Sequence, residues 1–212
     1  MELMAIFITA FIVFVLLFAN EVWWRKAKTH NEVARKFIHI SVGSFVAFWP
    51  FFLSWQEIRF LSLAFLAGVI ISKYLHVFRA IHSVQRPTLG EIFFAAAVGL
   101  STFVTDNKWI YMTAILQMSL ADGLAAVIGS RYGRAHRYLI FNQHKSIVGT
   151  ITFAVVSLVT VVAFTYLNGT YISPIIIASI VLVATILENV GGYGSDNLLV
   201  PLFIAAMLSL II

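Results

Sequence analysis

Apolar runs, most of them about as long as a bilayer is thick, alternate with short polar segments along the chain. A helix crossing the hydrocarbon core needs about 20 mostly apolar residues, fewer where polar ends reach the headgroups. Eight runs meet this description: Leu3–Ala19, Phe37–Leu53, Ile58–Val77, Glu91–Val104, Trp109–Gly129, Ile147–Leu167, Ile172–Glu188 and Leu198–Ile212. The fourth and eighth are the shortest. The segments between them leave no room for a soluble domain, and neither a tandem repeat nor a low-complexity tract interrupts them. The pattern predicts one all-α, polytopic transmembrane helical bundle over residues 1–212.

Composition strengthens this reading. Of 212 residues, 61% are hydrophobic and 11% charged, where a soluble domain carries about 25% charged residues. Mean hydropathy is +0.96. So much apolar surface needs lipid as its solvent. There are no cysteines, which excludes disulfides and thiolate metal sites. The first apolar run has no basic segment before it, so no cleavable leader is expected.

The net charge of +5 is concentrated. Of the 14 Lys+Arg, all but Arg59 and Lys108 fall on odd-numbered connections between spans. The positive-inside rule then places those connections in the cytoplasm and both termini outside. The basic excess serves topology and contact with anionic membrane lipids, and nucleic-acid binding is not expected. Arg25, Lys26, Lys28 and Arg137 take that role. His30, His76, His82 and His136 read as surface or interfacial residues. A prokaryotic plasma membrane, or an ER-type membrane in a eukaryote, is the expected location.

The acids then change the picture. Glu91 opens the fourth span, Asp122 lies inside the fifth, Glu188 ends the seventh, and Asp196 with Asn197 precedes the eighth. All fall on the cytoplasmic half. A charge within a span costs several kcal/mol unless paired or hydrated, so such residues are candidates for function. Carboxylates together with phosphates are the usual holders of Mg²⁺. Strong bases share the face. In "RKFIHISVG", Arg35, His39 and Gly43 step by four along one helical face, with Lys36 beside them. Ala121, Ala125, Gly129 and Gly133 repeat at the same spacing, which packs helices closely and turns Asp122 into the bundle. "HKSIVGT" places Lys145 and Ser146 at a helix start, where free N–H groups and the dipole favour anions. "GGYGSDN" (191–197) offers flexible backbone at the same face. No P-loop, HExxH, CxxC or protein-kinase signature is present.

Five pieces in order resemble a known family: "RKFIH...G" (35–43), "RPTLGE" (86–91), "DGLAAVIGSRYG" (122–133), "KSIVGT" (145–150) and "E...SDNLLVP" (188–201). Together they look like the dolichol kinase, phytol kinase and CTP-dependent diacylglycerol kinase family, a distant relation of the phosphatidate cytidylyltransferases. The resemblance covers residues 35–201 as catalytic core and leaves the first span, 3–19, peripheral. It implies a membrane-embedded kinase that transfers phosphate from CTP, or ATP, to a polyprenol, dolichol or phytol-type alcohol. The family's polar positions match Asp122, Lys145, Glu91 and Asp196.

The expected site follows. Mg²⁺ bridges the phosphates to some of Glu91, Asp122, Glu188, Asp196 and Asn197. Phosphate charge is met by Arg35, Lys36, Arg86, Arg131 and Lys145, with His39, Ser146, Gly129 and Gly133 around it. Asp122 serves either as metal ligand or as the base that takes the hydroxyl proton. The stretch from Arg131 to Lys145 is expected to be a loop over the nucleotide. The acceptor arrives laterally through the bilayer. Diacylglycerol kinase and CDP-lipid synthesis are the nearest alternatives. A proton- or cation-coupled transporter is more distant, because its polar groups would run through the midplane.

Overall fold

The computed structural model describes residues 2–27, 32–75, 89–141 and 143–212. Among the described residues nine α-helices follow in order: α1 (Glu2–Ala27), α2 (Glu32–Ala47), α3 (Trp55–Leu75), α4 (Gly90–Val104), α5 (Lys108–Leu116), α6 (Asp122–Tyr132), α7 (Ile147–Asn168), α8 (Pro174–Val190) and α9 (Asp196–Ile211). α5 and α6 are halves of one rod, joined by a wider π turn at Gln117–Ala121. Among the described residues, four stretches are long and apolar enough to cross a membrane: Leu3–Trp23, Trp55–Ser72, Lys108–Tyr132 and Ile147–Asn168. α4, α8 and α9 are shorter apolar helices.

Local chemistry sets the ends. α2 stops at Ala47 and gives way to one 3₁₀ turn, Trp49–Phe51, because Pro50 cannot continue an α-helix. The second expected span therefore ends earlier than predicted and starts earlier, at Glu32. Asn107 caps α5, its side-chain oxygen accepting from the N–H groups of Trp109 and Ile110 at 2.9 and 3.3 Å. Ser146 caps α7 through Gly149 N at 3.1 Å, and Gly169, at φ +66°, ends it. Pro174 occupies the first turn of α8, where its missing N–H costs nothing.

The packing is inverted relative to a soluble protein. Large apolar side chains face outward, among them Phe60, Leu63, Val159, Ile175 and Leu182. Such a surface is stable only against hydrocarbon. The buried interior mixes apolar clusters, such as Ile58–Tyr111–Met118 and Phe153–Ile180–Ile204, with the polar residues Gln117, Ser119 and Ser157. Gln117 donates to Ser157 O at 3.2 Å and to Thr160 Oγ1 at 2.8 Å, fastening the π turn to α7. Small residues let the helices close up. A Cβ on Gly43 would fall 2.4 Å from Ser119 Cβ, and one on Gly123 would fall 2.3 Å from Ile40 Cγ1. α2 thus lies directly against the π turn and the start of α6.

The stretch from Arg131 to Lys145 is not a plain loop. It folds as an antiparallel hairpin of β1 (Arg137–Ile140) and β2 (Gln143–Ser146), with Arg137 opposite Ser146 and Tyr138 opposite Lys145. Apart from this hairpin the described residues are helical, as the all-α expectation has it. Each strand is four residues long, too short for a clear period-two pattern beside the apolar spans.

Candidate active site

The π turn places Asp122 at the top of α6, its backbone N–H bonded to Gln117 O five residues back. One extra residue in a turn rotates everything after it relative to a regular helix. Asp122 thereby points inward, 5% exposed, onto α2. Lys36, also buried, makes an ion pair with Asp122 Oδ2. His39 Nε2 lies 3.7 Å from the same oxygen and 3.0 Å from Met118 O. Lys36 and His39 are three apart and so share a helix face.

Opposite them, Lys145 on β2 forms an ion pair with the Glu188 carboxylate and bonds to Glu188 O at 2.8 Å. Burial pulls the Lys145 ammonium toward neutrality. The charges of Glu188 and Asp196 outweigh that pull, so its pKa sits above the ordinary lysine value and the group stays charged. Asp122, Glu188 and Asp196, from α6, α8 and α9, each bring a carboxylate oxygen within 4.8 Å of the other two.

These groups line a cavity of about 330 Å³. Lys36, Asp122, Ala125 and Gly129 form one wall, and Glu188, Asp196 and Asn197 the other. The hairpin closes the third side with Arg137, Gln143, His144, Lys145 and Ser146, of which Arg137 and His144 are exposed at the rim. The hairpin is pinned in place: Tyr138 Oη bonds Asn189 Oδ1 and Thr150 Oγ1, and Gln143 Nε2 donates to Gly191 O at 3.1 Å. Asn197 Nδ2 donates to Gly90 O at 3.1 Å, while its buried Oδ1 has no hydrogen-bond partner among the described residues.

The structure brings some of the expected residues together and places others elsewhere. Lys36, Asp122, Gly129, Lys145, Ser146, Glu188, Asp196 and Asn197 all meet at the cavity. Glu91 does not join the carboxylates. It lines a separate cavity of about 40 Å³ with His39 and Phe94, because α4 packs mainly against α3 and α9. His39 stands behind Asp122 rather than in the cavity. Arg131 points outward over the Tyr132 ring, 5.4 Å from its centroid. Gly133 is a packing residue, since a Cβ there would fall 2.4 Å from Ser146 Oγ. Arg86 and the Arg35 side chain lie outside the described residues. Arg137, read from sequence as a topology charge, belongs to the rim. The hairpin register that puts it opposite Ser146 is the signal that the sequence reading lacked.

The donor set fits a hard divalent cation. Three carboxylates and an unsatisfied amide oxygen are oxygen ligands of the kind Mg²⁺ takes, and no sulfur competes with them.

A charged cavity sunk into an apolar helical bundle defines an integral membrane protein built around a buried acid–base site. No family model and no solved structure matches the chain. Over 179 residues it is 37% identical to a phytol kinase of Synechocystis sp., an alignment covering 81% of this chain and 76% of that protein. The chain belongs to the phytol and dolichol kinase family.

Proposed function

We propose that the protein is a lipid-alcohol kinase that transfers the γ-phosphoryl group of CTP to the hydroxyl of a phytol- or polyprenol-type alcohol with Mg²⁺. The observation that carries this reading is the meeting of Asp122, Glu188 and Asp196 with Lys36 and Lys145 in one cavity. The name of the Synechocystis relative supports the acceptor class. The donor base rests on the family resemblance.

Phosphoryl transfer asks a protein mainly for in-line positioning and charge neutralisation. Lys36 and Lys145 supply fixed positive charge inside the cavity, and Arg137 supplies it at the rim. The Ser146 hydroxyl adds a neutral donor to an anion. Asp122, Glu188 and Asp196, with Asn197, would hold Mg²⁺, whose contribution is to offset charge on the phosphates. Asp122 acts as ligand in this reading, since the Lys36 ion pair and its two carboxylate neighbours already commit it to charge balance. α1 to α9 cross the bilayer as about eight spans with both termini outside, and the cavity opens to the cytoplasm, where the basic residues gather.

The test is direct. Purified protein in lipid nanodiscs is given labelled CTP or ATP, Mg²⁺, and phytol, polyprenols, diacylglycerol or phosphatidate in turn. A lipid monophosphate with CDP as co-product supports the proposal. Pyrophosphate with a CDP-lipid selects cytidylyl transfer. No product from any alcohol removes the kinase reading.

A further inference from the structure

A second cavity, of about 260 Å³, lies between α1, α2 and α3. Facing helical stripes line it and leave one side open. Val13 and Leu17 come from α1, Val42 and Val46 from α2, and Phe65 and Val69 from α3. Its polar members are Ser62 and Ser72, and the Ser62 hydroxyl is engaged on Arg59 O at 2.8 Å. An apolar groove of this size, open to the lipid side of the bundle, suits a hydrocarbon chain.

The cavity runs toward the site without opening into it. Leu17, Val42, Phe65 and Val69 also line the smaller cavity that holds His39 and Glu91. The path follows one face of α2 from Val46 past Val42 to His39, about 10 Å at 1.5 Å per residue. At its inner end His39 stands 3.7 Å from Asp122 Oδ2. An otherwise apolar channel thus ends on a histidine and a carboxyl group beside the carboxylate cavity. That arrangement suits a molecule with a long hydrocarbon tail and one hydroxyl head.

We infer that the cavity between α1, α2 and α3 holds the tail of the acceptor alcohol, with its hydroxyl end directed past His39 toward Asp122. This rests on the kinase reading for its chemistry, but the cavity is a feature of the fold. α1, whose outward residues such as Phe7 and Phe11 face lipid, forms one side of the entrance. Gly68 marks the cavity wall on α3. Gly68 is exposed at the cavity's rim, and a Cβ there meets no atom within 4 Å, so a larger side chain fits there without displacing the helices.

The experiment uses the full chain in nanodiscs, wild type and Gly68→Leu. Phosphorylation is measured with a diterpenoid and a monoterpenoid alcohol. The ratio of kcat/KM for the long acceptor over the short one is expected to fall about tenfold in the variant, as a few buried CH₂ contacts are lost. An unchanged ratio overturns the proposal. Independently, a diterpenoid alcohol carrying a tail diazirine is photolysed with wild-type protein without nucleotide. Labels on the Val13 and Phe65 segments are expected, and they are expected to weaken in Gly68→Leu. Labels confined to outward faces such as Phe60 and Leu182 overturn it. Labels in the cavity without phosphorylation leave the tail site standing and remove the kinase reading alone.

Discussion

Asp122 and Lys36 are a buried ion pair whose members are unequal in function but bound in stability. Removing one partner leaves the other charged without compensation, at a cost of about 3 kcal/mol, whereas replacing both by neutral side chains costs far less. Asp122→Asn is therefore expected to lower the unfolding midpoint in detergent and to abolish lipid phosphorylation. Lys36→Met/Asp122→Asn is expected to recover most of the stability and none of the activity, which separates structural from chemical loss by denaturation and turnover measured side by side. Lys145 is tied to Glu188, and its pKa is held above the ordinary value by Glu188 and Asp196 against the pull of burial. Lys145→Ala should reduce kcat/KM for nucleotide by about a hundredfold or more, the range of losing one preorganised charge in a transition state. Lys145→Arg should not restore it fully, because the guanidinium fork needs different space. Normal turnover by Lys145→Ala would remove Lys145 from the phosphate site. The sequence pointed to Asp122 because an acid within an apolar run is costly. It could not name Lys36 as the partner, since neighbouring residues lie about 100° apart on a helix and only the packing of α2 shows which face turns inward.

At the scale of elements, the hairpin and the π turn decide whether those residues meet. Tyr138 latches the hairpin to α7 and α8 through Thr150 and Asn189. Tyr138→Phe removes the latch while keeping the ring, a change of about 1 kcal/mol in local stability. Faster amide exchange in residues 137–146 and a higher KM for nucleotide are expected, with the acceptor KM little changed. Equal exchange in both proteins would show that the latch does not hold the hairpin. Close packing of α6 on α7 depends on Gly129, where a Cβ would stand 2.7 Å from Ser146 Oγ and 3.0 Å from Gly149 Cα. Gly129→Leu should destabilise the protein and disturb the α7 cap together. The small-residue stripe was legible as periodicity. The π turn was not, because its cause is a tertiary fit among Gln117, Ser157 and Thr160 from two helices.

For the whole molecule, the absence of cysteine allows topology to be read with single introduced thiols. A thiol at Arg134, beside the hairpin, is expected to react from the cytoplasmic side only, and one at Tyr171, in the α7–α8 connection, from the outside only. Reaction of both from one side would overturn the proposed arrangement. The amino-acid pattern alone determined that this is an apolar helical bundle and which acids stand where lipid should be. It did so because hydrocarbon length and the cost of charge in lipid are local constraints, written residue by residue. The tertiary structure alone decided that Asp122, Glu188 and Asp196 converge while Glu91 looks into another cavity, and that Arg137 reaches the rim. Such choices depend on the rotation of each helix about its axis and on the register of a short hairpin. Both are set by contacts between segments far apart in the chain, which no local pattern encodes.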